Sequence, residues 1–492
     1  MLQASAARRY LQRIAHPKRG TFALSTEVKR DYEYFDNVEH RNGVAIIRFN
    51  GPGKMNTLSK GLQAEAEKLF SSLNTKEVKA LVFLSSKPDN FIAGADINGI
   101  KETKDKKDLK AMIMKGHHFF DELKRLNIPT VAGINGVALG GGLEWAMYCD
   151  YRVATTSPKT SVGLPEVKLG LLPGMGGTYH LPKLIGYPAA LDMILTGKNV
   201  KPDKAKKLGL VDLVVDPASL EDVCVRQALG LVDGSVKTAK RKKNLVSRIL
   251  EDTPLRSIIF KKAREGVVKN AGTKYPAPFG IIDVMEQGAG KSKKAHLEIE
   301  ADKFVELAGT PESQALIGLF HGMNAVKKHD YGPPKKPVQK IAVLGAGLMG
   351  AGIAQVSLDQ GKYTVLLKDK DQAGVSRGEG VILGELQQKL KKKRITNHQF
   401  CEKSARLIPL HDDVASWKQH FASADLVIEA VFEVGSSLFL YSISLFISDV
   451  SQEISIKHKV LKEMEEILPP HGIFASNTSA IPIGQIASVA KR

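Results

Sequence analysis

Two stretches of this chain run a short apolar segment into a cluster of glycines and then into a helical pattern: NGVALGGGLE (Asn135 to Glu144) and IAVLGAGLMGAGIAQ (Ile341 to Gln355). A turn built this way leaves backbone N–H groups at a helix N-terminus with no side chain in front of them, and it is the usual strand-to-helix connection of an α/β layer. One such turn in each half of 492 residues predicts at least two α/β domains, within the two or three that this length allows with full cores.

The rest of the pattern agrees. Between Tyr34 and Asp216, GVAIIRFN, ALVFLSS, PTVAGING and DYRVATT read as strands, while LSKGLQAEAEKLFSSL and LKAMIMKGHHFFDELKRL carry apolar residues at helical spacing. From Glu221 to Lys328 the chain turns helical and lysine-rich, and GPPKKP (Gly332 to Pro337) punctuates it as a linker. KIAVLGA, TVLLKD, DLVIEAV and GIFASNT follow as four more strands separated by helices. The expected division is an α/β domain over 34–216, a helical region over 217–331 and a partial Rossmann domain over 338–492.

Composition narrows the classes of function. With 43% hydrophobic and 25% charged residues the chain is globular. Cys149, Cys224 and Cys401 are isolated, so neither a disulfide framework nor a metal site is expected. Residues 1–26 contain Arg8, Arg9, Arg13, Lys18 and Arg19 and no acid, the composition of a mitochondrial transit peptide. The net charge is +19, and most of it lies beyond that segment, which suits a polyanionic ligand or an anionic membrane surface. The lysines lie among acids rather than among aromatics, so nucleic acid is not an expected partner. The longest apolar run, within SSLFLYSISLFI (Ser436 to Ile447), falls short of the ~20 residues that cross a bilayer.

The first glycine turn, Gly140 to Gly142, and the tight turn AGAD (Ala93 to Asp96) can each aim one amide at a developing negative charge, which makes an oxyanion hole. Glu144 lies just inside the helix after the first turn, and Glu166 follows the LP turn of GLPEV. Either acid alone reads as a complement to a helix start. Two carboxylates beside two such turns read as a site that moves a proton and positions a water.

Residues 34–216 resemble the crotonase, or enoyl-CoA hydratase, family, through FIAGADI (Phe91 to Ile97), NGVALGGGLE, GLPEVKLGLLPGMGGT and AALDMILTGKNVKPDKAKKLGLVD. The resemblance implies a ββα-spiral fold, with the Ala95 and Gly141 amides on a thioester oxygen and Glu144 and Glu166 on the water that adds across a double bond. Crotonase relatives that lack one glutamate do other chemistry, so isomerisation and thioester hydrolysis stand as alternatives, and possession of both points to hydration. Lys168 and Met175 stand where small or aliphatic residues are expected.

In the second half, Gly345, Gly347 and Gly350 form GxGxxG between a strand and a helix, and Asp369 ends the next strand. That carboxylate is placed to accept the ribose hydroxyls of NAD and to repel the phosphate of NADP. Residues 338–492 resemble the front part of 3-hydroxyacyl-CoA dehydrogenases, and the two halves in this order resemble the α subunits of mitochondrial trifunctional complexes. This resemblance implies that Glu433 and Lys457 contact NAD and that Ser479 contacts the substrate hydroxyl. It also implies long-chain acyl-CoA substrates, a thiolase-type β subunit and association with the mitochondrial inner membrane. The family's catalytic histidine follows the NTS strand, whereas no histidine follows His471 here. The second half therefore reads as C-terminally truncated and impaired in dehydrogenation, with a binding or scaffold form as the alternative. Val434 to Gln452 reads as an insertion, in composition like translated intron, that draws Lys457 away from Glu433 along the chain.

Overall fold

The computed structural model describes residues 31–492 except 98, 100–102, 104, 239–240, 242–244, 328–335, 414, 432–442, 480 and 492; at 245–246 and 443–453 it describes the backbone alone. The basic segment 1–26 and Glu433 lie outside the described residues. Two compact units emerge, Met1–Lys328 and His329–Arg492.

In the first unit, β1 (Glu39–Arg41), β2 (Val44–Phe49), β3 (Ala80–Ser85), β5 (Thr130–Ile134), β7 (Tyr151–Thr155) and β9 (Leu213–Val215) form a six-stranded sheet in the order β1-β2-β3-β5-β7-β9. All pairs but β1–β2 are parallel. VAIIRF and ALVFLS are nearly continuous apolar runs because these strands are covered on both faces. One cover is the helix Lys60–Ser72, started by Ser59, whose side chain accepts from the Leu62 N–H, and turned inward by Leu62, Ala66 and Leu69 at helical spacing. The opposite face takes the helix Leu220–Asp233, whose Leu220, Val223 and Cys224 pack on Val44, Ile46 and Val131. The helical stretch after Asp216 thus shares the first unit.

A second, three-stranded parallel sheet, β4 (Asp89–Ile92), β6 (Gly136–Leu139) and β8 (Ser161–Gly163), is ordered β4-β6-β8. Each of these strands is too short to show a period in sequence. Together they decide where the glycine turns end up. After β6 comes the helix Gly141–Tyr148, buried along its whole length. Trp145 anchors it, with its ring 5.0 Å from that of Phe49, 5.4 Å from Phe83 and 5.2 Å from Phe119.

The second unit is a five-stranded parallel sheet, β12-β11-β10-β13-β14, built from β10 (Lys340–Leu344), β11 (Thr364–Lys368), β12 (Leu407–Leu410), β13 (Leu426–Glu429) and β14 (Ile473–Ser476). The order reverses between β10 and β13, and a doubly wound sheet binds its ligand at the carboxyl ends of the strands beside such a switch point. β12, whose exposed Pro409 interrupts the apolar pattern, is the strand that alternation alone does not reveal. The helix Ile443–Ile467 takes in the later part of the supposed insertion and continues through Lys457. No helix among the described residues is long and apolar enough to cross a membrane.

Candidate active site and cofactor cleft

The three short strands β4, β6 and β8 end side by side, so the segments that follow them meet. A Cβ built on Gly140 would lie 2.6 Å from Glu166 Oε1 and 3.7 Å from Gly94 Cα, and one on Gly141 would lie 3.8 Å from Ala95 N. Gly140 has φ +49°, which suits glycine, and the close approach of Glu166 leaves no room for a side chain. The Ala95 amide is bypassed by the backbone pairing on either side of it, since Leu58 N donates to Gly94 O and Asp96 N donates to Leu58 O. Gly141 opens its helix, so its N–H has no acceptor within that helix. The structure thus brings together the two predicted oxyanion amides.

Both predicted acids stand beside them. Glu144 is 2% exposed, and its Oε1 accepts from the amides of Met175 at 2.8 Å and Gly177 at 2.7 Å. Loss of solvent, then the charges of Glu166 and Glu300, hold its carboxyl well above the usual carboxylate range, against the pull of those two amides. Glu166 opens the 3₁₀ turn Glu166–Leu169. It is partly exposed as a residue, yet its Oε2 is sealed from solvent without a hydrogen-bond partner. Burial of the carboxyl pushes Glu166 up to about 8. Met175, unusual by pattern, serves the site through its backbone, while its thioether lies over Gly116. Lys168 points outward.

Sequence reasoning missed a third acid. Glu300, fully buried on the helix Lys293–Ala308, accepts from Gly176 N at 2.7 Å and Thr178 N at 3.1 Å. The available signal was its register: His296, Leu297, Ala301 and Phe304 form the buried face of that helix, and a carboxylate sits among them.

In the second unit, Gly345, Gly347, Asp369, Lys457 and Ser479 line one cavity of about 980 Å³. Gly345 has φ +94°, and a Cβ there would strike Ala430 O at 2.4 Å. Gly350 lies behind the cavity wall, where a Cβ would meet Gly345 O at 1.8 Å. Gly347 has open space in front of it, and Leu348 and Met349 at the helix start are exposed. This open glycine cradle fits a pyrophosphate. Asp369 Oδ2 accepts from Ala346 N at 2.7 Å, so the carboxylate stands at the mouth of the turn.

Lys457 is held by a buried acid. Its ammonium lies 3.0 Å from both oxygens of Glu429, a fully buried residue that also takes Val431 N at 2.9 Å and the Ser476 hydroxyl. Lys457 is carried by the helix Ile443–Ile467 and lines the cavity wall. The sequence pointed to a Lys457 contact with NAD and did not single out Glu429, the acid at the end of β13 that the lysine pairs with.

Residues 39–265 match the family Enoyl-CoA hydratase/isomerase, and residues 340–437 and 439–492 match the NAD binding domain of 3-hydroxyacyl-CoA dehydrogenase. The first unit has the crotonase fold and the second the Rossmann-type fold of an NAD-binding domain. NAD is the cofactor of the second. The fatty acid oxidation complex subunit alpha of Shewanella amazonensis is 39% identical over 92% of this chain and 61% of its own length. The protein of the same name from Shewanella oneidensis is 39% identical over 93% of this chain and 62% of its own. The chain therefore spans about three fifths of the length of the curated relatives it matches. A solved enoyl-CoA hydratase from Bacillus anthracis is 23% identical over 60% of this chain and 96% of that one, with a TM-score of 0.38.

Proposed function

We propose that the first unit hydrates 2-enoyl-CoA thioesters to 3-hydroxyacyl-CoA in fatty-acid β-oxidation, and that the second unit binds NAD for the oxidation that follows. One observation carries the reading: the buried Glu144, and Glu166 with its Oε2 sealed from solvent, stand beside two backbone amides, Ala95 and Gly141, for which the backbone pairing among the described residues supplies no acceptor. The amides take the thioester oxygen as it gains negative charge. The two carboxylates hold one water between them; an ionised one takes its proton as the water oxygen bonds to Cβ, and Cα then receives a proton. Because Oε1 of Glu144 is used by two amides, its Oε2 is the atom left for the water.

The 492-residue chain is expected to consume crotonyl-CoA, seen as loss of the conjugated-thioester absorbance. Release of free CoA, or activity only on 3-enoyl-CoA, would favour the hydrolase or isomerase alternative and sink the hydration reading. When bound, NAD supplies the hydride acceptor.

The long-chain and mitochondrial parts of the proposal rest on the resemblance to trifunctional α subunits and on the basic, acid-free composition of residues 1–26. Those 26 residues fused to a fluorescent protein are expected to direct it to mitochondria, and a diffuse signal would count against that location. A thiolase-type β subunit is the proposed partner, since the relatives are named as α subunits of a complex.

A further inference from the structure

The loop Gly174–Thr178 is held from three sides at once. His117, on the helix Lys106–Arg125, places Nε2 at 2.9 Å from Gly174 O. The next four amides then alternate between two acids: Met175 N and Gly177 N point to Glu144, Gly176 N and Thr178 N to Glu300. The alternation requires Gly176 at φ +94° and a bare Gly177, where a Cβ would lie 2.8 Å from Glu144 Oε1. The Thr178 hydroxyl also bonds Glu300 and lies 2.9 Å from His296 Nε2.

We propose that Glu300 is a positioning residue of the hydration site, which grips alternate amides of the Gly174–Thr178 loop and so keeps the intervening amides aimed at Glu144 Oε1, leaving Oε2 turned to the water. The inference rests on the hydration reading. Without Glu300, Gly176 N and Thr178 N would be buried donors without acceptors, and such groups are rarely tolerated. The loop would then turn to satisfy them and take Met175 N and Gly177 N with it. The acid limb of a rate profile reports this arrangement because Glu300 faces Glu144 and Glu166 across the site and raises both. The other titratable groups around it are His117 at 3.4 Å, His296 on its own helix, and Tyr148 and His180 on the facing helices; Lys293 stands over the Tyr148 ring.

The test compares kcat and KM for crotonyl-CoA against pH in the full chain and its Glu300→Gln, Glu300→Asp and Thr178→Val variants, with circular dichroism to check folding. Displacing a catalytic group by about 1 Å costs up to ~10²-fold, so Glu300→Gln is expected to lower kcat by ~10- to 10²-fold with KM changed less than about 3-fold. Its acid limb should move to lower pH, because one negative charge has left the surroundings of Glu144 and Glu166. Glu300→Asp keeps the charge but shortens the reach, so kcat should fall while the limb stays. An active parent with wild-type kcat in Glu300→Gln, or a loss of kcat with an unmoved limb, would overturn the positioning role. If Glu300→Gln fails to fold, Glu300→Asp and Thr178→Val decide: reduced kcat in both supports the role, and wild-type kcat in both overturns it. A parent chain without hydratase activity defeats the hydration reading itself, and this inference falls with it.

Discussion

The Glu144→Gln and Glu166→Gln variants are expected to lose at least about 10²-fold in kcat for hydration and to melt later than the parent chain above pH 8. Loss of activity follows because an amide neither takes a proton from water nor returns one. The fold survives because Glu144 uses a single oxygen for both loop amides, and a glutamine oxygen accepts the same pair. The stability change follows from the direction of the shifts. A carboxyl whose folded pKa is raised is most comfortable protonated, so its contribution is fully present below the ordinary carboxylate range and is lost as pH rises through the folded value, about 8 for Glu166. Glutamine cannot ionise and escapes that loss. A difference of about 1 kcal/mol moves the melting midpoint by roughly 2–4 °C in a domain of a few hundred residues. Melting curves at pH 5 and pH 9 check it: the variants should match the parent at the lower pH and exceed it at the higher. Near-parental turnover in either variant would remove that glutamate from the mechanism, and equal midpoints at pH 9 would mean that its burial costs nothing.

Gly350→Ala should abolish NAD binding while leaving hydration intact. The added methyl would sit 1.8 Å from the carbonyl oxygen of Gly345, a contact with backbone that no rotamer change relieves. The helix Leu348–Gln360 can no longer close on β10, and the amides that receive the pyrophosphate lose their common aim. A loss of at least ~10²-fold in affinity, about 2.7 kcal/mol, is expected, read from the fluorescence of titrated NADH. Hydration should persist because Glu144 and Glu166 belong to the other compact unit. Parental NADH affinity in this variant would show that the glycine turn is not where the cofactor sits.

Much of this was legible from the chain. The strands of the six-stranded sheet that carry VAIIRF, ALVFLS and TVAGI announce themselves because burial on both faces demands unbroken apolar runs. The glycine turns announce themselves because only glycine tolerates Gly140's positive φ beside a carboxylate. The three-stranded sheet did not, since strands as short as SVG offer no period to detect. Glu300 and Glu429 were hidden for a different reason. Each is an acid on an apolar face, and its partner lies far away in sequence: the loop amides for one, Lys457 for the other. Long-range pairing of buried charge leaves no local spacing to read.

Trp145 has a consequence for how this chain can be watched at work. The chain has two tryptophans: Trp145 is adjacent to Glu144 inside the aromatic cluster, and Trp417 lines the NAD cavity with the Lys368 ammonium 4.4 Å from its ring centroid. Each unit therefore carries its own optical reporter beside its own chemistry. Trp145, sealed and with an unpartnered indole N–H, should emit in the blue. Trp417 stands where nicotinamide absorbance can drain its emission. A Trp417→Phe chain would report on the first unit alone and a Trp145→Phe chain on the second, so the order in which the two halves unfold can be read from when each variant's ultraviolet emission shifts to longer wavelength.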